Sequence, residues 1–427
     1  MRIAVIGGGL AGLACAIRLA QKNHDIVLFE AAPELGGRTR SFFDSTVNEW
    51  VDNGPHLLAG AYQSTRRLLE DCGAAKLVHW QASLHLPLWR PGSAIQRLAP
   101  PASLPIACGL PWACYRLQGH DMSSLAGIFR LSLASHRGID SELTAKRWLN
   151  NNNIPERLQK DLLEPLCLGA MNEELETANA KTFARVLRES FASHETARLG
   201  WFRAPLSQAL VKPLEEKALG LGVKVHKGCR VLRLTAADKG IAIEAGKSPD
   251  RFDQAVIALP AKARNTLLGT QEKVETRPIT NIHLWFHGLP PLPEPLIGGL
   301  GTHAHWFFDI SQQHGMSDNG QTALRHICAV ISADACKLPA EQRIQMACRE
   351  LSDMLGLETE IRTRHHRIVC ERHATMLTRS AGDKDALPPF VIDASEQPEP
   401  GSLPATIELA VQRGEMAAIQ AIEPIPA

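Results

Sequence analysis

The sequence predicts an α/β protein in which a doubly wound parallel sheet is joined to a second, discontinuous α+β domain. Three observations predict it. The apolar run Arg2–Ile6 leads into glycines at 7, 9 and 12, spaced G-x-G-x-x-G. A second apolar run, Ile26–Phe29, ends on Glu30, about 20 residues past those glycines. A Gly-Gly-Arg element, Gly36, Gly37 and Arg38, follows shortly after.

Each element has its own physical reason. A short, unbroken apolar run is what a parallel strand buried on both faces requires. Leu10, Leu13, Ala14 and Ile17 recur at helical spacing and predict the helix that the glycines open. Gly7 permits the tight turn out of the strand, Gly9 lets a ligand approach the backbone, and Gly12 lets helix and strand pack closely. The amides of Leu10, Ala11 and Gly12 then offer unpaired N–H groups and partial positive charge to a pyrophosphate. Glu30, with Ala31 beside it, stands where a carboxylate grips a ribose hydroxyl. The glycines alone would also suit a turn that serves only packing. Strand, helix, strand and acid in this order point to a Rossmann-like dinucleotide site.

NAD and FAD share that fingerprint, so the next residues decide between them. Pro33, Gly36, Gly37, Arg38 and Ser41 resemble the P-x-x-G-G-R-x-x-S element of flavin-dependent amine oxidases and carotenoid desaturases. Adjacent glycines bring N–H groups close to a ligand, and Arg38 can neutralise a phosphate. The resemblance implies FAD. Residues 223–234 alternate like a single strand and resemble the family segment whose backbone near Val231 contacts adenine. Phe252–Pro260 is expected as the returning strand of the same domain. Pro404–Glu408 is expected to begin a helix, with the amides of Ala405, Thr406 and Ile407 facing the flavin pyrimidine edge. The FAD domain is therefore expected in three pieces, residues 1–62, 206–265 and 386–427. Residues 63–205 and 266–385 are left for the substrate domain.

A chain of 427 residues exceeds one ordinary core, which fits two domains. Its 46 basic and 45 acidic residues nearly balance, which argues against nucleic acid as a partner. Ten scattered cysteines without a C-x-x-C pair fit free thiols in a reducing cytoplasm better than disulfides or a metal cluster. The first apolar run is itself the glycine-broken strand, so no signal peptide is expected. No apolar run reaches the length of about 18 residues that spans a bilayer. Residues 80–135 stand out: Trp80, Trp89, Trp112 and Tyr115 lie among Leu and Pro, flanked by Arg90, Arg97, Arg116 and Arg130. That composition suits either a surface that dips into one leaflet or a proline-kinked helical lid. His303 and His305 would share one face of a strand and raise a metal reading, but no third ligand accompanies them.

Further segments narrow the resemblance. Val51–His56 with Leu57–Tyr62, Glu164–Asn172 and Leu403–Glu408 look like three stretches of bacterial hydroxysqualene dehydroxylases, relatives of the phytoene desaturases. Two positions depart from that pattern: Ile392 precedes Asp393 where the family has glycine, and Pro55 replaces a glutamine. The resemblance implies that Gly54, Pro55, His56 and Asp393 also border the FAD. It further implies reductive removal of an allylic hydroxyl from a long-chain isoprenoid. The chain would then lie in the cytoplasm against the inner face of the cell membrane, near the upstream squalene-pathway synthases. His56 and Glu164 are the candidate proton donors; the alternatives are a histidine that only hydrogen-bonds the cofactor and a carboxylate that only caps or pairs. Cys167 suits packing. Two rival functions are a phytoene-type desaturase and a flavin-free scaffold for terpene enzymes. An amine oxidase is less favoured, since only 5% of the chain is aromatic and it has two tyrosines.

Overall fold

The computed structural model describes residues 1–246, 248–271, 274–315, 324–334, 338–378 and 387–423. The first strand, β1 (Arg2–Ile6), carries side chains that need burial on both faces, and the structure supplies neighbours on both edges as well. It pairs in parallel with β2 (Asp25–Phe29) on one side and with Gln254–Ile257 on the other. Lys224–His226 and Val391–Asp393 complete a five-stranded, wholly parallel sheet. Helix α1 (Leu10–Ala20) crosses from β1 to β2 with Leu10, Leu13, Ala14 and Ile17 buried. The C-terminal helix Ile407–Ile422 packs against it so tightly that a Cβ at Gly414 would overlap the Ala11 carbonyl. This is the doubly wound domain, and its strands come from widely separated parts of the chain. The boundary expected at residues 385/386 lies outside the described residues.

The second domain is α+β. A seven-stranded mixed sheet has the order His365–Met376, Thr276–His287, Leu324–Ile331, Trp306–Asp309, Leu296–Gly299, Leu86–Trp89, Gln96–Leu98. Alternation along the strands sorts its faces. Ile282, Leu284, Phe286, Phe307 and Ile327 pack on the helix Ala340–Met354. Leu86, Leu88, Trp306, Phe308 and Cys328 face a helical layer drawn from residues 106–190. That layer includes Ile106–Tyr115, Met122–Ser135 and Glu164–Met171. None of the described helices is long and apolar enough to cross a membrane.

Four expectations need correction. Residues 223–234 are not one strand: Lys224–His226 joins the parallel sheet, while Arg233–Ala236 joins a separate three-stranded antiparallel sheet. Gly228, in the left-handed conformation with φ +65°, turns the chain between them and leaves Val231 in the connecting loop. Trp89 is no surface anchor, being 2% exposed within the mixed sheet. Trp80 is part-buried between the guanidinium groups of Arg66 and Arg198. His303 and His305 lie in the irregular connection before Trp306–Asp309, where His305 Nδ1 accepts the Ser332 amide.

Candidate functional site

The site begins at the N-terminus of α1. Gly7 has φ +110°, and a Cβ there would overlap the Ala258 carbonyl oxygen. A Cβ at Gly12 would overlap the Gly7 carbonyl oxygen. Both glycines are thus required by packing. Gly9 differs: it is the extended N-cap, with φ −73°, and a Cβ would meet nothing within 4 Å. No side chain caps the helix, which leaves the first-turn amides of Leu10, Ala11 and Gly12 without a capping partner.

The second wall is the Gly-Gly-Arg turn. Gly36 and Gly37 both have positive φ, 106° and 57°, and the Gly36 amide donates to the Gly8 carbonyl at 2.8 Å. A Cβ on Gly37 would lie 3.4 Å from Gly9 Cα, so the two motifs touch. The Glu30 carboxylate accepts the Gly8 amide through one oxygen and the Ala32 amide through the other, each at 2.7 Å. Beside it, the Cys229 amide donates to the Glu30 carbonyl, which brings the Val231 loop to the end of β2 and to Ala31. Arg38 spans to the Ala374 carbonyl and to Glu396.

The remaining expected residues fall into two groups. At the C-terminal helix, Thr406 is the N-cap and its Oγ1 accepts the Leu409 amide at 3.2 Å, so Ala405, Thr406 and Ile407 form a second helix N-terminus. Its Glu408 is buried and accepts both the Ser64 and Thr65 amides. Asp393 is buried with Arg264, whose Nε lies 2.5 Å from its carboxylate. Ile392 continues the edge strand beside it.

The stretch Asp52–His56 lies against the mixed sheet. Asn281 donates to the Asn53 carbonyl at 2.8 Å, and a Cβ at Gly54 would meet the Asn281 side chain. Pro55 follows without an amide to satisfy. His56 Nδ1 lies 2.9 Å from the Gly54 carbonyl, and a carbonyl can only accept, so that nitrogen carries the proton. Burial lowers the His56 pKa, the bond to Gly54 opposes this, and Arg38 adds to the lowering. A neutral ring leaves Nε2 as an acceptor, so His56 suits orienting a hydroxyl better than the donor role expected of it. Glu164 is not brought here. It opens the helix Glu164–Met171 among Glu176, Lys146, Glu174 and Lys160, and burial raises its pKa.

Two groups escaped the sequence reading. Asp52 has its pKa raised to about 6 by burial, against opposing hydrogen bonds from Ser41 Oγ and the Leu206 amide. Asn281 lies far away in sequence, and no local signal marks it. Asp52 could have been found as the one carboxylate of its motif.

An uncapped helix N-terminus at a bare glycine, a carboxylate ending the second strand and an adjacent arginine are the features of a dinucleotide-binding fold. The chain belongs to the flavin containing amine oxidoreductase family, whose profile matches residues 10–380, and it is an FAD-dependent oxidoreductase. It is similar to hydroxysqualene dehydroxylases of Sinorhizobium fredii, 28% identical over 97% of this chain and 96% of that one, and of Rhodopseudomonas palustris, 29% identical over the same shares. It is also similar to the 15-cis-phytoene desaturase of Glycine max, 24% identical over 67% of this chain and 54% of that enzyme. Among solved structures, cyclohexylamine oxidase from Brevibacterium oxydans shares the fold, with a TM-score of 0.70 and 12% identity, covering 98% of each chain. The residues fit FAD, because the space over Gly9 and the donors of α1 match a bound pyrophosphate.

Proposed function

We propose that this enzyme removes an allylic hydroxyl reductively, converting hydroxysqualene to squalene for hopanoid or other triterpene synthesis. The observation that carries the reading is coverage. The bacterial dehydroxylases match end to end, whereas the plant desaturase matches over two-thirds of this chain and about half of its own length. The rival, desaturation of a phytoene-like polyene, runs the redox chemistry in the opposite direction. A flavin-free scaffold is disfavoured by the uncapped α1 and by the family itself.

FAD, when bound, supplies the reducing equivalents. In this reading the amides of Leu10–Gly12 and Arg38 hold the pyrophosphate, Glu30 the ribose, and the Val231 loop the adenine. Asp393, Ala405–Ile407 and Gly54–His56 border the remainder of the cofactor. His56 accepts the substrate hydroxyl at Nε2, and that oxygen leaves as water once an acid protonates it. Residues 1–62, 206–265 and 386–427 remain the proposed cofactor domain.

A substrate of about 30 carbons, at roughly 0.8 kcal/mol per buried CH₂, stays in a bilayer rather than in water. The enzyme must therefore meet it there. Cys108, Trp112 and Tyr115 recur at helical spacing on the exposed side of Ile106–Tyr115, and Met122, Phe129 and Leu133 do so on Met122–Ser135. Arg116 and Arg130 flank them. These two stripes are the proposed membrane-facing surface, at the cytoplasmic face where the synthases that supply the substrate would also lie.

Anaerobic incubation with photoreduced FAD and hydroxysqualene, read by product mass, is expected to yield squalene. No conversion there, together with desaturation of phytoene by the oxidised enzyme, would reverse the assignment.

A further inference from the structure

Arg38 is committed twice. Its Nη1 donates to the Ala374 carbonyl at 2.6 Å and its Nη2 to Glu396 Oε2 at 2.7 Å. The Glu396 side chain is 11% exposed, and its other oxygen accepts the Met376 amide at 3.3 Å. Nearby, the Asp393 carboxylate is held by Arg264, Gln397 and the Ser395 amide. Residues 393–397 therefore carry carboxylates already matched to cations. Because Gly37 abuts Gly9, the Arg38 backbone is one residue from the turn that opens α1.

We propose that Glu396 competes with the cofactor's pyrophosphate for Arg38 and thereby holds FAD affinity down. The proposal rests on assigning the groove at residues 7–38 to the pyrophosphate. A doubly charged anion brought to the amides of Leu10–Gly12 meets a carboxylate across the same guanidinium. If Arg38 turns to the phosphates, the largely buried Glu396 loses its ion pair and keeps only the through-space attraction of Arg413. If Arg38 is shared, the two anions repel each other at short range. Either way the carboxylate works against binding. Removing its charge leaves the guanidinium in place, because the Ala374 carbonyl still holds the other Nη.

The test is a titration of flavin-stripped protein with FAD, followed by quenching of flavin fluorescence. Glu396→Gln keeps the side-chain length and an acceptor for the Met376 amide; Glu396→Ser is the second variant should the first fold poorly. Both are expected to bind FAD about tenfold more tightly than the native chain, the factor that 1.4 kcal/mol brings. Flavin release should slow in step. Unchanged or weaker binding in folded variants would overturn the proposal and make Glu396 a residue that positions Arg38. If native and variant proteins alike fail to take up FAD, the groove assignment falls with it, an outcome distinct from the first.

Discussion

Gly9 and Gly12 belong to one fingerprint but answer to different constraints. Gly12 has the Gly7 carbonyl where its side chain would be, so Gly12→Ala forces β1 and α1 apart. Overpacking of this kind costs about 1–3 kcal/mol, occasionally more. Gly9 has ordinary φ and open space, so Gly9→Ala is expected to melt within about 1 °C of the native protein without cofactor, while losing about tenfold or more in FAD affinity. Paired melting and flavin titration of the two variants check this; a large drop in melting temperature for Gly9→Ala would contradict it. Asp52 makes a pH prediction. Its folded pKa of about 6 lies above the ordinary aspartate value of 3.8, so the folded state keeps a proton that the unfolded chain gives up. Stability should therefore fall as pH rises from about 4 to 6, by about 2–3 kcal/mol, and level off above. Urea unfolding of the native chain and Asp52→Asn across that range should show the extra slope only in the native chain.

Between elements, polar groups reach across long sequence distances. The helix Gln63–Asp71 has no side-chain cap of its own; Glu408 of the C-terminal helix accepts its Ser64 and Thr65 amides and the Thr65 hydroxyl. A buried carboxylate bonded to amides at a helix N-terminus is a charge-assisted cap. Glu408→Ala is expected to destabilise the protein by about 2–4 kcal/mol in denaturant unfolding; a loss below about 0.5 kcal/mol would show that water replaces the cap. Such contacts explain what could be read from sequence. The β1–α1–β2 unit was legible because its glycines, apolar spacing and Glu30 are local signals. Tertiary partners decided the rest. The alternation at 223–234 hid a switch between sheets at Gly228, and Trp89 looked like a surface aromatic until sheet neighbours buried it. The Arg38–Glu396 and Arg264–Asp393 pairs join residues 358 and 129 positions apart, which no spacing rule reveals.

At the scale of the molecule, a five-stranded parallel sheet and a seven-stranded mixed sheet stand where the proposed function puts cofactor and substrate. The exposed stripes on Ile106–Tyr115 and Met122–Ser135 make the proposed membrane contact testable. Trp112 is 41% and Phe129 44% exposed, so replacing both by Ser removes apolar area without opening a core. Flotation with vesicles containing anionic lipid should recover the native chain with the lipid and the double variant in the soluble fraction. Equal recovery of the two would place the contact elsewhere. Trp89→Ser is no such probe, because its buried ring would unfold part of the sheet.

The proposed nucleotide cradle draws its edge strand from Val391–Asp393 and leans α1 on Ile407–Ile422. A ribosome makes the fingerprint glycines nearly four hundred residues before these supports. Throughout translation the nascent chain carries an unfinished cradle whose apolar flank is bare. FAD capture is thus expected only once Val391–Asp393 and Ile407–Ile422 have been made and have docked. Deleting Ile407–Ile422 would strip α1 of its packing partner and is expected to weaken FAD binding further than Gly9→Ala does.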